Sequence, residues 1–292
     1  MNNQQVASST TIRLNTKRIP TLPPGSIHLM QSMMDESLNY RQLANIVERF
    51  PSIAARLIAL SNSAWSSPVA PITSLDQACS RLGFGVVRST SIALSVSSPF
   101  DFSQCPIFDA KHFWCHLLLV ADTSTLLAQA VSVQENLPPL TARAAGLLHD
   151  LGLLWLADQL PEETQQAILL SQEDSKISLR QSLSTIIGMD HHEAGRILAD
   201  AWNLPEPLMA AMSKNSELGH TTPYWQIVSV VNLADCLVTA TETEMPCQVS
   251  DSNLEEIGLN HAEVGNVMQL LYRQKDSTQQ LANQLFSHTS AT

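Results

Sequence analysis

Two ionisable side chains stand next to each other in a strongly apolar stretch of the chain, Gly146-Leu147-Leu148-His149-Asp150-Leu151-Gly152. Leu153, Leu154, Trp155 and Leu156 continue that stretch. Burying an imidazole and a carboxylate among leucines costs several kcal/mol unless a partner compensates them. The ordinary partners are a metal ion, an opposite charge or a hydrogen-bond network. Neutral imidazoles with carboxylates suit a borderline or hard divalent ion with positions left open for water. The alternative is a hydrogen-bonded pair that only ties helices together, and the doublet by itself leaves both readings open.

The elements that must position this pair read as helices. No segment sustains a two-residue alternation, so strands are not expected and the chain is all-α. Pro138-Pro139 opens the helix that carries His149-Asp150. Asp109 caps a long helix to about Val131 whose buried stripe is Phe113, His116, Leu117, Val120, Ala121, Ser124 and Leu127, which puts His116 on the core face. Thr222-Pro223 opens another helix with Val228, Val231 and Asp235 on one face. Ser178 to Ile187 is helical, Gly188 ends it, and Asp190 caps the helix His191 to Trp202. Asn260 with Glu263 forms a capping-box start for a helix from His261 to Gln274.

The N-terminal half is helical too. Leu43, Ile46, Val47 and Phe50 share a face. Ser52 is the expected N-cap of the helix carrying Ile53, Leu57, Leu60 and Ala64. Ser74 caps a short helix that Gly83 ends, and a further helix runs from Gly85 to Ser97. The expected organisation is an arm over residues 1–18, a helical subdomain over 19–105, a second over 106–275 with its boundary in Pro99–Pro106, and a polar, frayed tail over 276–292. Trp114 and Trp202 read as core, and Asn62 and Ser63 as cap or bridge residues.

Composition narrows the function. The net charge is -11 with only 16 Lys+Arg, a poor balance for binding a phosphate backbone, so nucleic acid is not an expected partner. The five cysteines contain no Cys-x-x-Cys pair, which argues against a thiolate metal site or a disulfide framework and suits a reducing cytoplasm. No apolar run reaches the roughly 18 residues of a membrane span, and the first residues lack an apolar signal core.

The second half resembles the HD superfamily of phosphohydrolases, whose metal motif is a His, a His-Asp doublet and a distant Asp. His116 matches the first, His149-Asp150 the doublet and Asp235 the last. The resemblance narrows to the HDOD family (HD-related output domain). Leu22-Pro23-Pro24, Asn62-Ser63-Ala64, Ala78-Cys79-Ser80-Arg81-Leu82-Gly83, Asp190-His191-His192-Glu193-Ala194-Gly195 and Trp202-Asn203-Leu204-Pro205 resemble its motifs in their order along the chain. The resemblance implies an N-terminal helical subdomain packed on an HD-like helical bundle. It also implies a divalent ion (Fe, Mn, Mg or Zn) at His116, His149, Asp150 and Asp235.

The chain departs from its relatives in several places. Phe50-Pro51 stands where the family usually has Asp-Pro, and Asn215 and Ser216 stand where many members carry His-His. Leu153 occupies the place of the lysine that related HD-GYP phosphodiesterases set beside the scissile phosphate, and leucine neither donates a proton nor stabilises developing negative charge. The Gly-Tyr-Pro loop of those enzymes is absent. His191 is a possible ligand of a second ion, although a satisfied structural histidine is the plainer reading, and His192 is expected to face solvent. The resemblance therefore implies a bacterial signal-transduction output or scaffold module without catalysis. It would stand alone without a receiver, GGDEF or EAL domain, and would bind a signalling protein or a small ligand. The alternative is a metal-dependent phosphohydrolase acting on a nucleotide or cyclic dinucleotide.

Overall fold

The computed structural model describes residues 19–131, 137–174, 176–213, 223–243 and 245–286. The expected N-terminal arm and the positions of Asn215 and Ser216 lie outside them. Among the described residues every regular element is a helix. The N-terminal group is α1 (Ser26–Met33), α2 (Tyr40–Val47), α3 (Pro51–Ser61), α4 (Leu75–Leu82) and α5 (Phe84–Ser97). The long α6 (Ala110–Ala130) then begins the second group with α7 (Pro139–Leu148), α8 (Leu151–Gln159), α9 (Pro161–Glu173) and α10 (Leu179–Ile186). It continues through α11 (His191–Ala201), α12 (Glu206–Ser213), α13 (Trp225–Thr243), α14 (Asp251–Ile257) and α15 (His261–Phe286).

Side-chain caps set several of these boundaries. Asn39 and Gln42 close a capping box on α2, Ser178 and Gln181 one on α10, and Asp109 accepts from the Lys111 and His112 amides at the start of α6. Asn260 and Glu263 exchange the expected bonds at the start of α15. Ser52 is not the cap of α3. Pro51 takes the first helical position, where its missing N–H is no loss, so the helix begins two residues earlier than a Ser52 cap would place it, with Phe50 as N-cap. Asn62 is the C-cap of α3, as expected of a capping residue, and its side-chain amide donates to the Ile58 carbonyl of the last turn at 2.9 Å. Its carboxamide exchanges bonds with the backbone of Ile72 and so closes the loop after α3.

α5 packs on α6 and α7, and one continuous core runs through both groups of helices. Polar bonds also join the halves. The Trp202 indole donates to the Pro20 carbonyl (2.8 Å), Trp65 to the Ser277 carbonyl (2.9 Å) and Arg143 to the Ser89 hydroxyl (2.8 Å).

Two expectations are corrected here. Residues 276–286 do not fray: α15 runs to Phe286, and Leu281, Ala282, Leu285 and Phe286 are buried. The Phe286 ring stacks on Trp114 at 4.7 Å with 9° between planes, and Arg56 donates to the Leu285 carbonyl. The polar residues between these anchors mask a stripe that only the tertiary fold covers. Removing the ring leaves a hole against a fully buried Trp114. Phe286→Ala should therefore cost about 3–5 kcal/mol, read as a lower urea midpoint with an unchanged slope. The second correction concerns the cysteines. Cys236 and Cys247 are disulfide-bonded with their Cα atoms 5.6 Å apart, because the chain after α13 returns along that helix, as the shared lining of Asn232, Cys236, Gln248 and Val249 shows. Cys79, Cys105 and Cys115 are free and buried. No helix among the described residues is long and apolar enough to cross a membrane.

Candidate metal centre

The helix expected to carry the His-Asp doublet is two helices. α7 ends at Leu148 and α8 begins at Leu151, with His149 and Asp150 in the turn between them. Both flanking runs are apolar on all sides, so periodicity gives no sign of the break. Asp150 has φ -108° and ψ 14°, in the bridge region where many site residues sit. It is the N-cap of α8, yet its side chain makes no capping bond. The carboxylate is directed instead at His149 (3.5 Å), His191 (3.6 Å) and His192 (3.9 Å).

A close approach of helices places His149. A Cβ on Gly146 would lie 2.7 Å from the Ser124 hydroxyl and 3.0 Å from the Val120 carbonyl, so glycine is what lets α7 lie directly on α6. Val120 and Ser124 lie one and two turns beyond His116 on the same stripe, and the His116 and His149 rings come within 6.1 Å. His149 donates from Nδ1 to the Gly146 carbonyl at 2.7 Å. That bond fixes the tautomer and turns the Nε2 lone pair toward the carboxylates, 3.5 Å from Asp150 and 3.9 Å from Asp235.

His116 is held from both sides. Its Nε2 lies 3.0 Å from Asp235 Oδ1 and its Nδ1 3.0 Å from Glu242 Oε2. Sequence reasoning missed Glu242, although it stands two turns after Asp235 on the same face of α13. Burial works against the charged imidazole, but hydrogen bonds to Asp235 and Glu242 and the charges of both outweigh it, so the His116 pKa is raised to about 10.

Two groups of donors result. His116, His149 and Asp235 form one, and Asp150, His191 and His192 the other, each with its ligand atoms within 4.8 Å of one another. All five sequence-nominated residues thus meet in one place. His192 does not face solvent as expected. It is buried with its ring 3.9 Å from that of His191. Both histidines sit in the first turn of α11, whose end points at Asp150, and at a helix end the stripe rule does not decide what is buried. Asp190 fixes that turn by accepting from the His192 and Glu193 amides, and Arg180 pairs with it at 2.5 Å. The imidazole and carboxylate donors fit a divalent ion of the borderline or hard kind.

The Glu242–His116–Asp235 row has the form of a carboxylate holding the far nitrogen of a metal-ligating histidine. Glu242→Gln should therefore lower divalent-ion affinity roughly 10- to 100-fold with little loss of fold, as read by chelator competition. The raised His116 pKa also fixes two signs. In the metal-free protein the protonated pair contributes stability that is fully present below about pH 6.5 and lost as pH rises through about 10. Metal-free Tm should fall between pH 7 and 10, and less steeply in His116→Asn. An ion must displace that proton, so its apparent affinity should rise with pH over the same range.

A cavity of about 240 Å³ opens onto His116 and Asp150, and Leu153 lines it.

A curated protein of Treponema pallidum (strain Nichols), described only as uncharacterized, is 22% identical over 231 residues, which is 78% of this chain and 44% of that protein. The chain therefore spans less than half the length of that curated relative. Among solved structures, a candidate signal transduction protein from Marinobacter aquaeolei VT8 superposes with TM-score 0.79 at 21% identity, over 91% of this chain and 60% of that one. A candidate phosphohydrolase from Shewanella amazonensis SB2B gives TM-score 0.67 at 20% identity, over 92% of this chain and 96% of that one. An HDOD domain protein of unknown function from Geobacter sulfurreducens gives TM-score 0.65 at 22% identity, over 92% and 93%. At these identities the structural likenesses speak for the all-α fold. The HDOD domain profile matches residues 19–218, well over half of the chain, and the chain belongs to the HDOD domain family.

Proposed function

We propose that this HDOD chain is a signal-transduction output module in which the His/Asp centre holds a divalent ion to bind a small ligand or a signalling partner, not to hydrolyse phosphate esters. The observation that carries this reading is the side chain beside Asp150. Leu153 stands in the cavity wall there, and among the described residues no Lys or Arg lines that cavity. Beyond the ion itself, phosphoryl transfer calls for a proton donor or cation where negative charge develops; leucine at this place is neither, and His112, in the first turn of α6, is the imidazole of the lining outside the donor groups. His116, His149 and Asp235 would hold the ion, with Asp150, His191 and His192 beside it. Such an ion supplies Lewis acidity toward a ligand oxygen. Fe, Mn, Zn and Mg are the ions such donors accommodate, with imidazole favouring Fe and Zn and carboxylate favouring Mn and Mg.

The second reading is a metal-dependent phosphohydrolase acting on a nucleotide or cyclic dinucleotide. The meeting of all the nominated donors in one place favours it. One experiment separates the two. Elemental analysis of the purified protein is followed by phosphate-release assays on nucleotides and phosphodiesters with added Mn²⁺ or Fe²⁺. Stoichiometric metal without turnover supports the module. Turnover at an enzyme-like rate that Asp150→Ala abolishes supports the hydrolase. A protein that takes up no metal overturns the ion-holding part of both.

A further inference from the structure

The cavity on His116 and Asp150 lies among the start of α6 and the faces of α8, α9 and α10. Its apolar walls are Ile107, Phe108, Phe113, Leu153, Ile168 and Leu179, and its polar lining apart from the centre is Asp109, His112 and Gln172. We infer that it is the ligand site of the module and takes a small monoanion with an apolar body, an aryl or short branched-alkyl carboxylate, to the exclusion of nucleotides. The inference rests on the ion-holding reading above and adds the class of ligand to it.

Three features argue for that class. The first is size. The cavity measures about 240 Å³, above the roughly 150 Å³ that takes a benzene ring and below the roughly 300–1,000 Å³ of sites for drug-sized molecules. One ring or a short branched chain fills it, and a nucleoside would extend beyond its walls. The second is charge. His116, His149 and Asp235 leave a divalent ion one net positive charge within its own ligand set, enough to bind one carboxylate directly. Asp150, Glu242 and Asp109 add negative charge close by, so no positive charge is left beyond what that one direct bond uses, and among the described residues the lining holds neither Lys nor Arg. A second or third anionic group would meet only repulsion there, whereas phosphate groups are held where cationic donors converge on them. The third is the wall itself. Two aromatic and four aliphatic side chains line the open space leading to the donors, so a ligand gains by covering them with hydrocarbon behind its carboxylate.

Calorimetry on protein loaded with Mn²⁺ or Zn²⁺, with metal content measured first, tests this. The probes are acetate, phenylacetate, 4-methylphenylacetate, ATP and cyclic di-GMP. Phenylacetate is expected to bind at least tenfold more tightly than acetate, to lose binding when the ion is removed by chelator, and to outcompete both nucleotides. Ile168→Ser, at a half-buried wall position, should weaken phenylacetate on the order of tenfold with metal content unchanged. Metal-loaded protein that prefers ATP or cyclic di-GMP, or that does not distinguish phenylacetate from acetate, overturns this inference alone. A protein without metal uptake overturns the ion-holding reading and this inference with it, and the metal measurement shows that before any ligand is added.

Discussion

An Asp235→Ala protein is expected to purify folded and without its divalent ion, its affinity down by more than about 100-fold. Asp235 Oδ1 is the carboxylate the two imidazoles of the first donor group share, 3.0 Å from His116 and 3.9 Å from His149. Without it the group consists of two neutral nitrogens, too few donors and no charge to hold a hard or borderline ion in place. The fold should survive, because α13 is held by Ile227, Val230, Val231, Ala234, Leu237 and Val238, all buried, while the Asp235 side chain is 22% exposed. The expected readout is a loss of bound metal by elemental analysis, with Tm in excess chelator close to that of the parent. Asp235→Asn keeps the volume and an oxygen donor but not the charge, and should fall between the two. A stoichiometric ion retained by Asp235→Ala would remove Asp235 from the centre.

The centre was legible from sequence where one helix face decides the outcome. His116 and Asp235 fall on the apolar stripes of their helices, and those stripes face each other across the core. Glu242 follows from the same rule once the stripe of Asp235 is continued by two turns. Other features were not legible because they are not matters of face. The His149–Asp150 turn interrupts a run that is apolar on every side, and there the 3.6-residue period carries no signal. His192 is buried by what stands in front of a helix end. The last turns of α15 are anchored by Leu281, Leu285 and Phe286 among exposed polar residues, and the Trp114 ring that receives Phe286 lies far away in sequence. The Cys236–Cys247 pairing depends on the path of the chain after α13, which no spacing rule supplies.

Gly152→Ala should damage the second donor group more than any change to an exposed side chain. In an exposed helix interior this substitution stabilises by about 1 kcal/mol, because alanine is the better helix former. Here the sign reverses. A Cβ on Gly152 would run into the His191 carbonyl and the Gly195 amide, backbone atoms of α11 that no rotamer change can move aside. α11 cannot simply retreat, since a Cβ on its own Gly195 would already lie 2.7 Å from the Met212 carbonyl of α12. The helix is thus packed tightly on both sides, and interiors at this density resist added volume. The expected cost is about 3 kcal/mol or more. The displacement falls on the turn that brings His191 and His192 to Asp150, because the obstructed carbonyl is that of His191 itself. Gly152→Ala should therefore unfold at a lower urea concentration. In protein that remains folded, the ring signals of His191 and His192 should shift, while the bond from His149 to the Gly146 carbonyl on the other side of the turn is kept. Gly265, where a Cβ would meet nothing within 4 Å, is the control: Gly265→Ala in α15 should leave stability equal or slightly raised. Equal stability for Gly152→Ala and Gly265→Ala would mean that α8 and α11 do not approach as closely as described, and with them Asp150 and the two histidines.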